Sequence, residues 1–145
     1  MIILRKSKRL AKIIALDIGG KRTGIAETDP MQIIASPRET VATKELEPYL
    51  MHWLKQEEVE AIVIGDPLGL DGGDSDNSAL VLDWETKLKV LFPTIPIHRQ
   101  DERFTSKMAM KSLVQSGMKK KKRREKGALD KVSAAIILED YLRNR

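Results

Sequence analysis

Residues 12–27 read KIIALDIGGKRTGIAE, two short apolar runs separated by a turn that is rich in glycine and positive charge. The first run, Lys12 to Asp17, ends in an acid and two glycines, and the second, Thr23 to Glu27, resumes an extended pattern after Lys21 and Arg22. Apolar, β-branched runs flanking a glycine turn predict an antiparallel hairpin. Gln32 to Val41 alternates loosely and carries Pro37, which lacks the N–H that an interior strand must donate. A third antiparallel strand at the edge of the sheet is therefore expected.

Further along the chain the apolar period changes. Leu46, Tyr49, Leu50, Trp53 and Leu54 recur at helical spacing, with Thr43 as the expected N-cap. Ala61 to Gly65 (AIVIG) is a continuous apolar run, as in a strand covered on both faces, and is read as the central strand. A loop rich in Gly and Asp, Asp66 to Asn77, precedes a helix from about Ser78 to Phe92 that presents Leu80, Val81, Trp84, Leu88 and Leu91. Ile95 to His98 reads as a short strand leading into Asp101, Glu102 and Arg103. Thr105 or Ser106 caps a helix to about Gln115, Gly117 stops it, and the basic tract Lys119 to Arg124 is read as a mobile loop. The last helix, from about Gly127 to Leu142, buries Leu129, Val132, Ile136 and Ile137, with Asp130 in its first turn. This order predicts an α/β fold: a mixed five-stranded sheet, three antiparallel strands and then parallel ones, with helices on both faces.

The 145 residues suit a single domain. Residues 1–11 are read as a basic extension, either an added basic contact or an unstructured tail, and 12–145 as the domain. The absence of cysteine excludes disulfides, thiol nucleophiles and cysteine-ligated zinc, which leaves oxygen ligands and the imidazoles of His52 and His98. Those two histidines have no partner pattern and are expected to be structural or exposed. Met1 to Lys12 lacks the apolar stretch of a secretory signal, and no apolar run approaches the roughly 20 residues of a membrane span. A soluble, cytoplasmic protein is the expectation. The net charge of +5 is unevenly placed, with Glu57 to Glu85 acidic and Arg103 to Lys131 basic. Clustered basic residues favour phosphate backbones through counterion release.

Three carboxylates hold corresponding positions in this arrangement: Asp17 at the end of the first strand, Glu102 just past the last, and Asp130 at the start of the last helix. Hydrolysis of a phosphodiester requires charge stabilisation on the attacking and leaving oxygens, and two divalent ions about 3.5–4 Å apart, held by shared carboxylates, supply it. Magnesium suits such an oxygen site, with manganese as a substitute. From spacing alone, three such acids are more readily read as ordinary surface charge than as a metal site.

The strings Ala15 to Pro30 (ALDIGGKRTGIAETDP), Gly65 to Gly72 (GDPLGLDG), Asp101 to Ser106 (DERFTS) and Lys126 to Leu142 (KGALDKVSAAIILEDYL) together resemble one family, in its order and spacing. It is the YqgF/RuvX family, whose members are described as pre-16S ribosomal RNA nucleases and as Holliday junction resolvase-like proteins with a ribonuclease H-like fold. The resemblance implies Asp17, Glu102 and Asp130 as metal ligands and catalytic acids, with Asp101 assisting. It also implies that Lys21, Arg22 and Arg103 hold phosphate oxygens near the metals. Two positions depart from the family pattern: Ser106 replaces a threonine, and Asp66 stands where an apolar residue is usual. Asp66 either joins the site, repels it or faces solvent, and solvent is the expectation.

Lys119, Lys120, Lys121, Lys122, Arg123 and Arg124 are the segment expected to contact the substrate backbone. No aromatic residues interleave it, so recognition of shape or backbone is expected rather than base stacking. Trp53 and Trp84 lie on helical core faces and are read as packing residues. The functional expectation is a metal-dependent endonuclease, a hydrolase acting in 5′-end maturation of precursor 16S rRNA. Two alternatives stand beside it: a dimeric resolvase cutting four-way DNA junctions, and a binding factor in ribosome assembly or transcription that does not cut. Sequence leaves monomer and homodimer both open.

Overall fold

The computed structural model describes residues 11–67, 76–102, 111 and 126–145. Strands β1 (Lys12–Ile18), β2 (Arg22–Thr28) and β3 (Ala35–Ala42) are followed by a 3-10 turn (Thr43–Glu45) and helix α1 (Leu46–Trp53). Then come β4 (Val59–Asp66), α2 (Asp76–Leu91), β5 (Ile97–Asp101) and the C-terminal helix, here α3 (Lys126–Asn144). The strands form one sheet in the order β3-β2-β1-β4-β5. β1 is antiparallel to β2 and β2 to β3, whereas β1–β4 and β4–β5 are parallel.

The central position belongs to β1, and β4 lies beside it, so the expectation for Ala61 to Gly65 is corrected by one place. Burial on both faces is shared by the two strands, and a local pattern does not rank them. β3 starts at Ala35 rather than Gln32, because the Asp29 carboxylate accepts hydrogen bonds from the backbone N–H groups of Met31, Ile33 and Ile34 and closes a loop there. Gln32 has a φ of 59° within that loop. Pro37 sits on the edge strand at a register shift opposite Ile25 and Ala26, where its missing N–H costs little. β5 begins at Ile97, later than the expected Ile95, because Pro96 precedes it and gives only its carbonyl, to the N–H of Ile62. The strand therefore carries Asp101 at its end and hands Glu102 directly to the rim of the sheet.

Alternation along β1 divides the core. Ile14, Leu16 and Ile18 join Leu46, Leu50, Trp53, Val81, Trp84 and Leu88 under α1 and α2. Ile13 and Ala15 join Ala26, Ala61, Val63, Ala134, Ala135, Ile137 and Leu138 under α3. Each fully buried Ile or Leu contributes about 1.5–3 kcal/mol. On α3 the buried stretch is Ser133 to Leu138, while Leu129 and Val132 are only half-buried, contrary to the expected face. The two tryptophans are core residues, as expected. Among the described residues, no helix is long and apolar enough to cross a membrane.

Candidate active site

The period of two that buries Ile13 and Ala15 under α3 also turns Asp17 to that face, at the end of the central strand. In β2 its partner is Gly24. In β4 the pairing of Leu16 with Ile64 places Gly65 next to Asp17 on the other side. Asp17 is thus flanked by two glycines, and each leaves room for one of the other two acids. A Cβ on Gly24 would run into the backbone carbonyl of Asp130 and come within 2.8 Å of the Lys131 nitrogen, so α3 can press its N-terminal end onto β2 only over a bare backbone. A Cβ on Gly65 would meet the Glu102 carboxylate and, at 2.7 Å, the Ile137 side chain.

The sequence motifs include both glycines but give them no role, although an isolated glycine within a strand pattern signals a close approach of this kind. Their substitution should have unequal effects. Gly24→Ala sets a methyl against helix backbone and is expected to cost at least about 2 kcal/mol, in the range of overpacking a fixed site. Gly65→Ala meets only the movable ends of two side chains and should cost less in stability while displacing Glu102. Urea denaturation of the two variants checks the ranking, and equal or reversed losses would contradict it.

The Asp17 and Glu102 carboxyls share a hydrogen bond. Two carboxylates bond in this way only if one holds a proton. Burial pushes Glu102 up to about 9, helped by the charge and hydrogen bond of Asp17 and by the charges of Asp66 and Asp101. Asp17 is raised as well, by burial first and by the charge of Asp130, against the lowering effect of its bond to Glu102. The third acid therefore stands within electrostatic reach of the first. Its own carboxylate is turned elsewhere, with Oδ2 accepting from Arg22 Nε at 2.8 Å. Among the described residues, no three acidic or imidazole side chains are grouped closely enough to hold a metal ion. The donor set nonetheless fits a hard divalent cation: oxygen ligands only, with a half-buried acid pair whose repulsion a cation would relieve.

The hairpin turn carrying Lys21 and Arg22 is pinned from outside. The Thr43 N–H donates to the Lys21 carbonyl at 2.9 Å, its hydroxyl donates to the Gly19 carbonyl at 2.6 Å, and that hydroxyl lies 2.9 Å from the buried Thr23 hydroxyl. Thr43 is accordingly not the expected N-cap, since Ala42 precedes the 3-10 turn and no side chain caps it. Lys21 is exposed. Asp66 departs from the solvent-facing expectation: its side chain is 16% exposed and lies 3.7 Å from Arg99, which also bonds Glu85 at 2.8 Å. Glu102 meets the same strand end, its N–H donating to the Asp66 carbonyl at 3.1 Å. His52 and His98 are both exposed, and His98 stacks on Tyr141. Arg103, Lys119, Lys120, Lys121, Lys122, Arg123 and Arg124 lie outside the described residues, as do residues 1–10 and, apart from the helical Lys111, the expected helix to Gln115.

Comparison with known proteins bears on this arrangement. A family model described as "RuvX: Holliday junction resolvase" matches residues 11–144. A Flavobacterium johnsoniae protein named "Putative pre-16S rRNA nuclease" is 43% identical over 136 residues, covering 94% of this chain and 99% of that protein. A Bacteroides fragilis protein of the same name is 42% identical, with the same coverage of both chains. Among solved structures, a chain of "T. thermophilus RuvC in complex with Holliday junction substrate" superposes with a TM-score of 0.56 at 15% identity, covering 92% of this chain and 95% of that one. That likeness is one of fold, and the mixed five-stranded sheet with helices on both faces is ribonuclease H-like.

Proposed function

Because the chain belongs to the RuvX family, we propose that it is a divalent-metal-dependent endonuclease that hydrolyses phosphodiester bonds in 5′-end maturation of precursor 16S rRNA. The observation that carries the reading is the half-buried Asp17–Glu102 pair on the α3 face of the sheet, with Asp130 close enough to raise Asp17. A carboxylate pair held together against its own repulsion is a functional signature rather than a stabilising one. The names borne by the relatives point to the same substrate.

In this reading Asp17, Glu102 and Asp130 hold magnesium or manganese. The bound cation supplies an activated water and charge stabilisation at the leaving oxygen. The chain's own part is positional. Asp17 is fixed by the central strand, Glu102 by the end of β5 and Asp130 by the seat of α3 on Gly24. Lys21 and Arg22 face the scissile phosphate from a turn that Thr43 holds in place. Arg103 and the basic tract from Lys119 to Arg124 add backbone contacts. Residues 12–145 act as one nuclease domain, with 1–11 as a basic extension, in the cytoplasm.

The test is cleavage of a labelled 5′ precursor 16S fragment and of a synthetic four-way DNA junction by the purified chain, with magnesium or manganese and with a chelator. Cutting of the RNA that stops on chelation is the expected result. Cutting of the junction with the RNA left intact would shift the function to a resolvase, the activity in the family's description, and would require a dimer with two sites. Binding of both substrates without cutting of either would leave a factor that does not cut.

A further inference from the structure

We propose that Arg22 acts as a stand-in cation on Asp130 and competes with divalent metal for that carboxylate, so that filling the site frees Arg22 for substrate phosphate. The proposal rests on the reading of Asp130 as a metal ligand.

Four observations carry it. Asp17 interacts with Glu102 and feels the charge of Asp130, yet no three acids are grouped to hold an ion among the described residues. The Asp130 carboxylate is bonded instead to Arg22, at 2.8 Å. The backbones on both sides are fixed: Asp130 by its seat over Gly24, and Arg22 by the bond from Gly19 N–H to its carbonyl at 2.9 Å and by the Thr43 anchors beside it. Finally, the pair is partly open to water, at 38% exposure for Arg22 and 23% for Asp130, and ion pairs of that exposure part readily.

Charge explains why the arginine is needed. Among the described residues Arg22 is the cation paired with the Asp130 carboxylate, which otherwise adds its charge to that of Asp17. A guanidinium stays charged at any accessible pH, and its forked donors suit a carboxylate and a phosphate equally. Arg22 therefore has two compatible partners, and occupation of Asp130 by a cation selects between them. Linkage then requires metal and nucleic acid each to raise the affinity of the other.

The test is the affinity for Mn2+ alone, without nucleic acid, from the free-ion electron paramagnetic resonance signal in titrations of the full chain. Arg22→Gln is expected to bind Mn2+ about five- to tenfold tighter than wild type, because a competing cation has been removed. Arg22→Lys should fall between the two. Lys21→Gln removes the same charge from the neighbouring position and should stay within about twofold of wild type. An Arg22→Gln affinity equal to or weaker than wild type overturns the proposal. So does an equal tightening in Lys21→Gln, which would indicate a general field rather than a specific competitor. If neither wild type nor any variant binds Mn2+, the metal-dependent reading fails first, and this inference fails with it.

Discussion

Asp17→Asn is expected to lower the rate of phosphodiester cleavage by roughly a thousandfold or more, equivalent to about 4 kcal/mol of transition-state stabilisation, while the protein stays folded. The effect should be this large because Asp17 is the acid common to the site. It bonds Glu102 on one side and feels Asp130 on the other, from the central strand of the sheet. Asparagine keeps the shape and can still donate to Glu102, so packing between Gly24 and Gly65 is preserved. What is lost is the charge. Its removal also withdraws one of the charges that raise Glu102, so the variant should be no less stable than wild type near neutral pH. Thermal melts paired with cleavage rates on the precursor RNA check both parts, and residual activity within tenfold of wild type would remove Asp17 from the chemistry.

What could be read in the sequence followed the range of the interaction responsible. The hairpin of β1 and β2, helix α1 and helix α2 are set by local period and turn chemistry, which residues 12–27, 43–54 and 78–92 carry within themselves. Boundaries that depend on one side chain moved, as with Asp29 closing the loop before β3 and Pro96 delaying β5. Strand order is a long-range property, so nothing in AIVIG distinguished the central strand from its neighbour. For the candidate site, the family motifs drew attention to Asp17, Glu102 and Asp130, but not to how they are accommodated. That depends on register: Gly24 and Gly65 matter because they flank Asp17, and no linear pattern records that. The Arg22–Asp130 bond joins positions 108 apart, and Thr43 serves a turn that lies 24 residues before it. Both are products of the sheet rather than of any segment.

A second large effect should appear as a dependence of stability on pH and on metal. Burial holds a proton on Glu102 up to about 9, whereas in the unfolded chain the group ionises near its ordinary value of 4.5. Between those limits the folded state carries the extra proton, so unfolding releases it and stability falls as pH rises. Each pH unit in that window is worth about 1.4 kcal/mol, so passing from about pH 6 to about pH 8 should cost about 3 kcal/mol, or roughly 6–12 °C in Tm for a chain of this size. Glu27 acts in the opposite sense. Burial tends to raise it, but hydrogen bonds from Lys12 and Arg38 prevail and hold it low, so its contribution is lost only as the solution turns acidic. Glu102→Gln should therefore flatten the slope above about pH 6 and leave the acid limb unchanged. Magnesium should stabilise wild type more at pH 8 than at pH 6, because a bound cation and the shared proton exclude one another at the Asp17–Glu102 pair. In Glu102→Gln that pH dependence of the metal effect should largely vanish, since the group that exchanges proton for metal is gone. A wild-type slope that survives the Glu102→Gln change intact would mean that the proton resides elsewhere, and the acid pair would lose its claim to be the seat of the metal.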